Sequence, residues 1–339
     1  MTVRLKDIAS DLNLSKMTIS RVLRGQTDVS AATKSRVLQR MKELNYRPNI
    51  AARSLRSGNT FSIGLIIPSL ASPFFAEVAK GLVQSLREAG YGLLISSAEE
   101  DSETERFEIG FQLSRQVDAL LVASVQESAE FFNDLARQKK PLILIDRKPP
   151  LFSAHFVGVR DRDIGYVAAA HLIEMGCRRL AYLRGPRTAA ADLRYTGYRA
   201  ALKDFNLTFR PALVVEAGET GCLEYQRGAD AMHRLLREKI RPDGVMCYSD
   251  LLAVGVIDAA VENNLSVPGD LAVVGCGNLP AVQQLKVPLS SVDLVGLEVG
   301  QRAARLALRL LSSEKIAPHR QLILSPRIVI RQSSRSGAE

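Results

Sequence analysis

From Ser62 onward, short apolar runs alternate with helical stretches, and this alternation limits the possible folds more than any other feature of the chain. The runs SIGLIIP, GLLIS, ALLVAS and LILID are predicted as buried strands, and the pattern restarts after Asp161 with RLAYLRG, ALVVEAG and GVMCYSD. Strands separated by helices form parallel sheets with helices on both faces. Because the series is too long for one sheet, it predicts two similar α/β lobes. Each lobe would be a doubly wound parallel sheet, with a ligand cleft at the carboxyl ends of the strands.

The first 60 residues carry nearly all of the excess positive charge. They hold 12 Lys and Arg against 4 Asp and Glu, whereas the whole chain of 339 residues has a formal net charge of +9. A small basic module attached to a near-neutral body indicates a polyanionic partner such as DNA. The segment is patterned rather than of low complexity, which argues against a solvated basic tail.

Apolar spacing in this basic module predicts three short helices. The first covers residues 5–12, the second follows the N-cap Ser15 and stops at Gly25, and the third runs from about Ser30 to Leu44. Two short helices joined by a tight turn, the second of them basic, form a helix-turn-helix whose second helix fits the major groove of DNA. Many three-helix units merely pack together, but the charge and the helix pattern in combination favour DNA binding.

Several function classes find little support in the sequence. The N-terminus has no signal peptide, and no apolar run approaches the roughly 18 residues of a membrane span, so a soluble cytoplasmic protein without membrane association is expected. The four cysteines form no CxxC pair, which argues against a zinc site and a disulfide framework. No nucleotide-binding or hydrolase motif occurs and the four histidines are scattered, so we expect no catalysis, no metal and no cofactor.

Three motifs carry a resemblance to a known family. Ser15 to Leu23 matches S-x-x-T-(V/I)-S-R-V-L, Leu44 to Leu55 matches L-x-Y-x-P-N-x-x-A-R-x-L, and Arg331 to Ser334 is similar to a terminal R-x-S-(S/T). With these motifs the chain resembles the LacI/GalR family of bacterial transcriptional regulators along its whole length. The resemblance implies a homodimeric regulator, expected to be a repressor, that binds a palindromic double-stranded DNA operator and a small-molecule effector.

The same resemblance implies the fold class and the domain boundaries. A small all-α helix-turn-helix headpiece covers residues 1–47, a hinge helix and linker cover 48–59, and an α/β two-lobed periplasmic-binding-protein-like core covers 60–339. In the core, the first lobe is expected at about 60–160 and 292–325, and the second at about 161–291 and 326–339. The chain then crosses between the lobes near Asp161, Ser291 and Pro326.

Family positions assign a set of residues to DNA contacts. Lys16, Met17 and Arg21 are expected to read bases, Thr18, Ser20 and Arg24 to contact phosphates, and Leu5 and Ser30 to lie beside the backbone. Residues 49–56 are too few for a stable isolated helix. The family implies that this hinge folds on DNA, with Ala52 lining the minor groove and Leu55 wedging between bases. An ordinary linker remains the alternative for the hinge, and a core methionine the alternative for Met17.

Family positions also assign the effector contacts, which lie mostly at the carboxyl ends of predicted strands. They are Ser69, Ser72, Phe74, Phe75, Asp146, Arg147, Arg194, Ser249, Asp250 and Gly277. Helix or loop capping at a strand end is the alternative for Asp146 and Asp250, and it explains Asp250 equally well. At Gly277 the family usually has a carboxylate, and Arg162 stands where it usually has Asn.

These departures bear on the chemistry of the effector. The cleft loses anionic acceptors while Arg147 and Arg194 remain, with Arg184 and Arg187 close by in sequence. Because Arg binds carboxylate and phosphate bidentately, we expect a sugar acid or a phosphorylated sugar, ahead of a neutral sugar or a nucleobase.

A solute-binding protein or an enzyme with the same core fold is the competing interpretation of the whole chain. In that case the first 60 residues would be an accessory. The basic module and the missing signal peptide favour the regulator.

Overall fold

The computed structural model describes residues 5–23, 28–46, 54, 58–126, 128–138, 140–149, 152–186, 188–218, 223–313 and 318–335. Of the residues expected to contact DNA, Arg24, Ala52 and Leu55 lie outside this set, as does Arg187 near the expected effector cleft. The chain divides into two compact units, Met1–Thr60 and Phe61–Glu339. No helix in the described part of the chain is long and apolar enough to span a membrane.

Between residues 5 and 46, the described part of the first unit contains three short helices: α1 (Leu5–Asp11), α2 (Lys16–Leu23) and α3 (Ala31–Glu43). Their apolar faces meet in a small core of Ile8, Ala9, Ile19, Val22, Val37 and Met41. The hydroxyls of Ser15 and Ser30 accept hydrogen bonds from the backbone N–H groups of Thr18 (3.0 Å) and Thr33 (3.2 Å). These bonds satisfy donors that the first turn of a helix leaves without partners. The predicted helix-turn-helix is confirmed.

The first lobe of the second unit is built on a six-stranded sheet in which all strands are parallel. Its strands are β1 (Ser62–Ile67), β2 (Gly92–Ser97), β3 (Ala119–Val122), β4 (Leu142–Ile145), β5 (His155–Val159) and β11 (Gln321–Leu324), in the spatial order β2-β1-β3-β4-β5-β11. Its helices are α4 (Pro73–Glu88), α5 (Ser102–Ser114), α6 (Glu130–Ala136) and α11 (Gly296–Ser312), of which α11 packs against α4.

The second lobe repeats this plan with a second six-stranded sheet. Its strands are β6 (Leu180–Arg184), β7 (Val214–Glu216), β8 (Gly244–Cys247), β9 (Ala272–Cys276), β10 (Ser290–Asp293) and β12 (Arg327–Val329), in the order β7-β6-β8-β9-β10-β12. Among the described strands of this sheet, only β12 runs antiparallel to its neighbour, β10. Its helices are α7 (Asp161–Glu174), α8 (Ala189–Asp204), α9 (Glu224–Arg237) and α10 (Asp250–Glu262). The predicted pair of doubly wound, mainly parallel lobes is confirmed.

Within the described residues, the chain crosses between the lobes at three places. β5 leads through Arg160 into α7, β10 leads through Leu294 and Val295 into α11, and β11 leads through Ser325 and Pro326 into β12. The second crossover lies slightly later in the chain than expected, because β10 extends to Asp293 before the chain leaves the second sheet.

Two glycines bring α7 and α8 into backbone contact. A Cβ atom on Gly165 would lie 1.8 Å from the carbonyl oxygen of Arg194, and one on Gly197 would lie 1.9 Å from that of Arg162. Only glycine permits so close an approach of two helices. This close approach places Arg194 on α8 beside Asp161, the first residue of α7. Both side chains lie at the cleft between the lobes.

Candidate functional site

The exposed face of α2 carries the side chains expected to read bases. Lys16, Met17 and Arg21 are all exposed, and Met17 at 58% exposure is no core methionine. Arg21 forms an ion pair with Asp28, with 3.1 Å between Nη1 and Oδ2, and both side chains are about half exposed. A solvent-facing helix surface with two cations and one apolar side chain matches what the major groove requires, since Arg can read guanine and an apolar group can contact thymine methyl.

The residues expected at phosphates or beside the DNA backbone differ in how accessible they are. Thr18 and Ser30 lie at helix starts, where Thr18 Oγ1 is 2.9 Å from Ser15 Oγ and Ser30 Oγ is 2.9 Å from Thr33 Oγ1. Ser20 is buried at 8% exposure, so the expectation that it contacts a phosphate is not supported. Its neighbour Ile19 belongs to the core of the first unit.

The place of Leu5 beside a DNA backbone stays a prediction. Leu5 packs against the small core of the first unit as a partly buried side chain, which leaves only part of it available beside a DNA backbone.

In the second unit, Asp146 and Arg147 follow β4 at its carboxyl end in the first lobe. Asp146 has a φ of 59°, a left-handed conformation that Asp and Asn tolerate better than most residues. The Arg147 guanidinium donates to both carboxylate oxygens of Glu100, at 2.8 and 3.3 Å, and its Nε lies 4.0 Å from Asp146 Oδ2.

Arg194 is the corresponding charged group of the second lobe. Its Nε donates to Asp161 Oδ1 at 2.9 Å, and its Nη1 lies 3.8 Å from Cys276 Sγ. Its guanidinium carbon lies 4.6 Å from the centre of the Tyr248 ring, within range of a cation–π interaction. Arg194 is thus held by an anion, a thiol and an aromatic face.

The charged groups of the two lobes influence one another's pKa values. Burial and the nearby Asp161 carboxylate raise the pKa of Asp146 to about 6, while Arg147 and Arg194 act in the opposite direction. Burial also raises the pKa of Tyr248, whose ring interacts electrostatically with both arginines, so its hydroxyl stays protonated at neutral pH. We call Asp146, Arg147, Asp161, Arg194 and Tyr248 the charged cluster.

Sequence reasoning missed two members of the charged cluster, Tyr248 and Asp161, and also Glu100, the carboxylate partner of Arg147. Tyr248 ends β8 directly before Ser249, so the rule that ligands bind at the carboxyl ends of strands could have found it. Asp161 was noted only as a crossover position, and Glu100 gave no signal, because it is 47 residues away from Arg147 in the chain.

A cavity of about 850 Å³ lies between the lobes, and its lining residues include none of the five residues of the charged cluster. Phe74 and Gly277, both expected effector contacts, are among the residues that line it, together with Asn278, Asp293, Gly296 and Arg331. The chain links the two places at the end of β9, where Cys276 contacts Arg194 and the next residue, Gly277, lines the cavity. The size and position suit a small polar molecule bound between the lobes.

Three of the expected effector contacts have structural roles instead. Phe75 is 3% exposed in the core of the first lobe, with its ring edge-on to Phe74. Asp250 is 1% exposed and accepts hydrogen bonds from Ser291 Oγ (2.5 Å) and from the backbone N–H of Leu279 (2.7 Å), so both of its oxygens are used internally.

Ser249 is the third of these residues. Its hydroxyl donates to Glu224 and accepts from the backbone N–H of Leu252 at 3.3 Å, which caps α10. Ser249 thus caps the helix, while Asp250 caps the loop after β9 through the backbone N–H of Leu279, as the capping alternative for Asp250 allowed.

Ser69 and Ser72 lie in the loop between β1 and α4, at the carboxyl edge of the first sheet. Ser69 Oγ accepts from the backbone N–H of Ala71 at 3.2 Å. Ser72 precedes α4 without a side-chain capping bond, and both serines are half-buried. Their hydroxyls lie on the side of the sheet where the cleft opens.

The pairing of the arginines corrects the charge argument made from the sequence. Arg147 and Arg194 already have carboxylate partners, and Arg184 donates to Asp192 at 2.6 Å. Arg162 is exposed on α7. From the sequence, the cleft was expected to lack carboxylates. Carboxylates are present beside Arg147 and Arg194, but they come from Glu100 and Asp161, which are distant in the chain.

Comparison with known proteins gives a consistent family. Residues 4–49 match the bacterial regulatory proteins of the lacI family, and residues 169–334 match the periplasmic binding protein-like domain. The HTH-type transcriptional repressor PurR of Histophilus somni (strain 2336) is 30% identical over 333 residues, which cover 97% of this chain and 98% of the relative. Catabolite control protein A of Priestia megaterium is 28% identical over 330 residues, which cover 94% of this chain and 98% of the relative.

Solved structures agree in fold. The transcriptional regulator CelR in complex with cellobiose has a TM-score of 0.71 at 28% identity and covers 98% of this chain and 99% of its own. The lac repressor dimer bound to operator and the anti-inducer ONPF has a TM-score of 0.81, and the match covers 99% of this chain and 100% of the lac repressor chain. Its identity of 23% supports the fold alone.

Proposed function

The chain belongs to the LacI family of bacterial regulatory proteins, and from that premise we propose that it represses transcription as a homodimer on a palindromic operator. Its operator affinity would depend on a small molecule bound between the two lobes. The exposed α2 face with Lys16, Met17 and Arg21 carries the DNA-binding part of this proposal. One helix-turn-helix reads only a few base pairs, so two-fold symmetry is needed for a site of useful specificity.

We propose that the effector is a sugar or a sugar derivative. The charged cluster offers donors and acceptors in alternation, since Arg147 and Arg194 donate while Asp146 accepts when ionised. Alternating groups of this kind suit the hydroxyls of a sugar. The CelR relative was solved with cellobiose, which supports this class, and a nucleobase is the alternative.

Selection of bound sequences from a random DNA library tests the first part of the proposal. The full-length protein is expected to enrich a palindrome, and its affinity is expected to fall steeply with salt because phosphate contacts release counterions. Enrichment of no sequence over random DNA would contradict a sequence-specific repressor.

A thermal-shift screen of sugars, sugar acids, sugar phosphates and nucleobases tests the second part, since a ligand stabilises the protein that binds it. Each hit is then added to the operator titration. An inducer weakens operator binding and a co-repressor strengthens it, whereas a hit without effect on the operator would not be the effector.

We propose no catalytic activity, because the curated relatives are repressors and the cleft groups are engaged in ion pairs and hydrogen bonds. Because a repressor acts where its operator lies, we propose a location in the bacterial cytoplasm.

A further inference from the structure

The C-terminal segment of the second lobe is held by a series of buried hydrogen bonds. Ser333 Oγ donates to the carbonyl oxygen of Val273 (2.6 Å) and accepts from the backbone N–H of Ser290 (2.8 Å). Ser334 Oγ donates to Ser290 Oγ (2.6 Å) and lies 2.7 Å from His171 Nε2. These bonds join the segment to β9 and β10, the strands whose carboxyl ends reach the cavity, so the backbone next to Arg331 has one fixed position.

Arg331 extends from this segment to the wall of the cavity. Its Nη1 donates to the carbonyl oxygen of Leu289 and its Nη2 to Asn278 Oδ1, both at 2.7 Å. Among the described residues it forms no ion pair, in contrast to Arg147 and Arg194 of the charged cluster. Both of its hydrogen-bond acceptors are neutral, and its charge also acts on the buried Asp250 carboxyl, where it opposes the rise in pKa that burial causes.

The bond from Arg331 also fixes which way the Asn278 amide points. A guanidinium can only donate, so the amide oxygen must face Arg331 and the amide nitrogen must face away from it. Asn278 Nδ2 has no acceptor within the described chain, and Asn278 lines the cavity. The backbone is fixed as well, since Asn278 N–H donates to Ser291 Oγ at 2.9 Å and its φ is 51°.

We propose that Asn278 and Arg331 form a donor-only subsite of the cavity that binds a carboxylate of the effector, which makes the effector a sugar acid. This inference rests on the proposed function and narrows it. The Nδ2 donors of Asn278 and the remaining N–H groups of Arg331 would take the carboxylate oxygens, and charge-assisted bonds of this kind are the strong ones. Asp293, which also lines the cavity and accepts from Val295 N–H at 2.8 Å, has a second oxygen for a hydroxyl of the same ligand.

The variant Asn278→Asp tests the subsite with little risk to the fold. The new carboxylate keeps an oxygen for Arg331, now as an ion pair, but replaces the two Nδ2 donors by an acceptor oxygen. Thermal stability is therefore expected to be unchanged or higher, while affinity for a sugar acid falls at least about tenfold because its carboxylate meets a like charge. Asn264→Asp is the matched control, since Asn264 is exposed and also has a left-handed φ of 61°.

Calorimetric titrations use matched sets of a neutral sugar and its acids: glucose with gluconate and glucuronate, and galactose with galactonate and galacturonate. The subsite is supported if at least one acid binds the wild type about tenfold more tightly than its parent sugar and this preference is lost in Asn278→Asp but kept in Asn264→Asp. Arg331→Lys, which keeps the charge but not the fork of donors, should retain part of the preference.

Three outcomes would overturn the subsite: equal binding of parent and acid, a preference for the acid that survives in Asn278→Asp, or no binding of any acid. The same titrations separate this failure from that of the proposed function. A neutral sugar or nucleobase that binds and changes operator affinity leaves the repressor intact and removes only the carboxylate subsite. If nothing in the wider screen changes operator affinity, effector control itself fails.

Discussion

Arg194 and Asp161 form an ion pair across the contact of α8 and α7, with 2.9 Å between Nε and Oδ1 and only 8% and 11% exposure of the two side chains. Asp161 is the first residue of α7, directly after the first crossover between the lobes. The pair therefore links the principal cation of the cleft to the point where the chain passes from one lobe to the other. Removing one partner leaves the other buried without a counter-charge, which costs far more than the pair itself contributes.

Arg194→Ala is expected to lower the free energy of unfolding of the second unit by about 3 to 5 kcal/mol, because Asp161 remains buried and unpaired. Effector binding should be lost in the same variant. Urea unfolding and calorimetry measure the two effects. Arg137→Ala provides the control, since Arg137 pairs with Asp134 at 81% and 71% exposure, and such exposed pairs contribute at most about 1 kcal/mol. Equal effects of the two substitutions would contradict the role given to Arg194.

The raised pKa of Asp146 predicts a dependence of stability on pH. The folded protein binds this proton with a pKa of about 6, whereas the unfolded chain has a value near 3.8. Because the folded state binds the proton more tightly, the free energy of unfolding should rise as pH falls from 7 through 6 toward 4, by about 1 to 3 kcal/mol from this group.

Asn at position 146 removes the titration and tolerates the left-handed backbone, so Asp146→Asn isolates this effect. The difference between variant and wild type in urea unfolding should be largest at pH 7 to 8 and should shrink toward pH 5. A difference that is constant from pH 5 to 8 would show that Asp146 titrates normally.

Gly165→Ala tests the close approach of α7 and α8. The new Cβ would meet the Arg194 carbonyl oxygen at 1.8 Å, so the helices must separate, and overpacking of this kind costs about 1 to 3 kcal/mol. Gly110→Ala in α5 is the matched control, because no atom lies within 4 Å of its new Cβ, and there the higher helix propensity of Ala should stabilise by up to about 1 kcal/mol. Thermal unfolding distinguishes the opposite signs, and a stabilised Gly165→Ala protein would argue against the tight contact.

Arg21→Ala tests base reading by α2. If Arg21 reads a guanine, operator binding should weaken by about 1 to 3 kcal/mol, while binding to random DNA weakens much less. Arg40→Ala is the charge-matched control, since it removes one positive charge from α3 and not from α2. Arg40 forms ion pairs with Asp11 of α1 (2.6 Å) and with Glu43 of α3 (3.0 Å). Anisotropy titrations with operator and random duplexes give the ratio of affinities. An equal loss on both duplexes would mean that Arg21 contacts only phosphate.

The sequence by itself determined the elements and their order. Apolar residues at helical spacing in the first 46 residues, and buried strand runs separated by helices after Ser62, depend only on neighbours a few positions away. The N-caps Ser15 and Ser30 are likewise local, because each bonds to an N–H three residues ahead. Such patterns can be recognised in a single chain, and so could the family from its motifs.

Only the tertiary structure decided which partner each charged group has. Glu100 reaches Arg147 over 47 residues, Asp161 reaches Arg194 over 33, and Arg331 reaches Asn278 over 53. These pairings follow from the order of strands in the two sheets, which brings the carboxyl ends of distant strands together. A count of arginines in the sequence therefore could not give the charge of the cleft.

The same limit applies to neighbours on one helix. Phe74 and Phe75 are adjacent in the sequence, but successive residues of a helix point in directions about 100° apart. Phe74 lines the cavity and Phe75 enters the core of the first lobe. Which of two similar side chains faces a ligand is set by how α4 docks on the sheet and on α11, and this docking is a property of the folded chain as a whole.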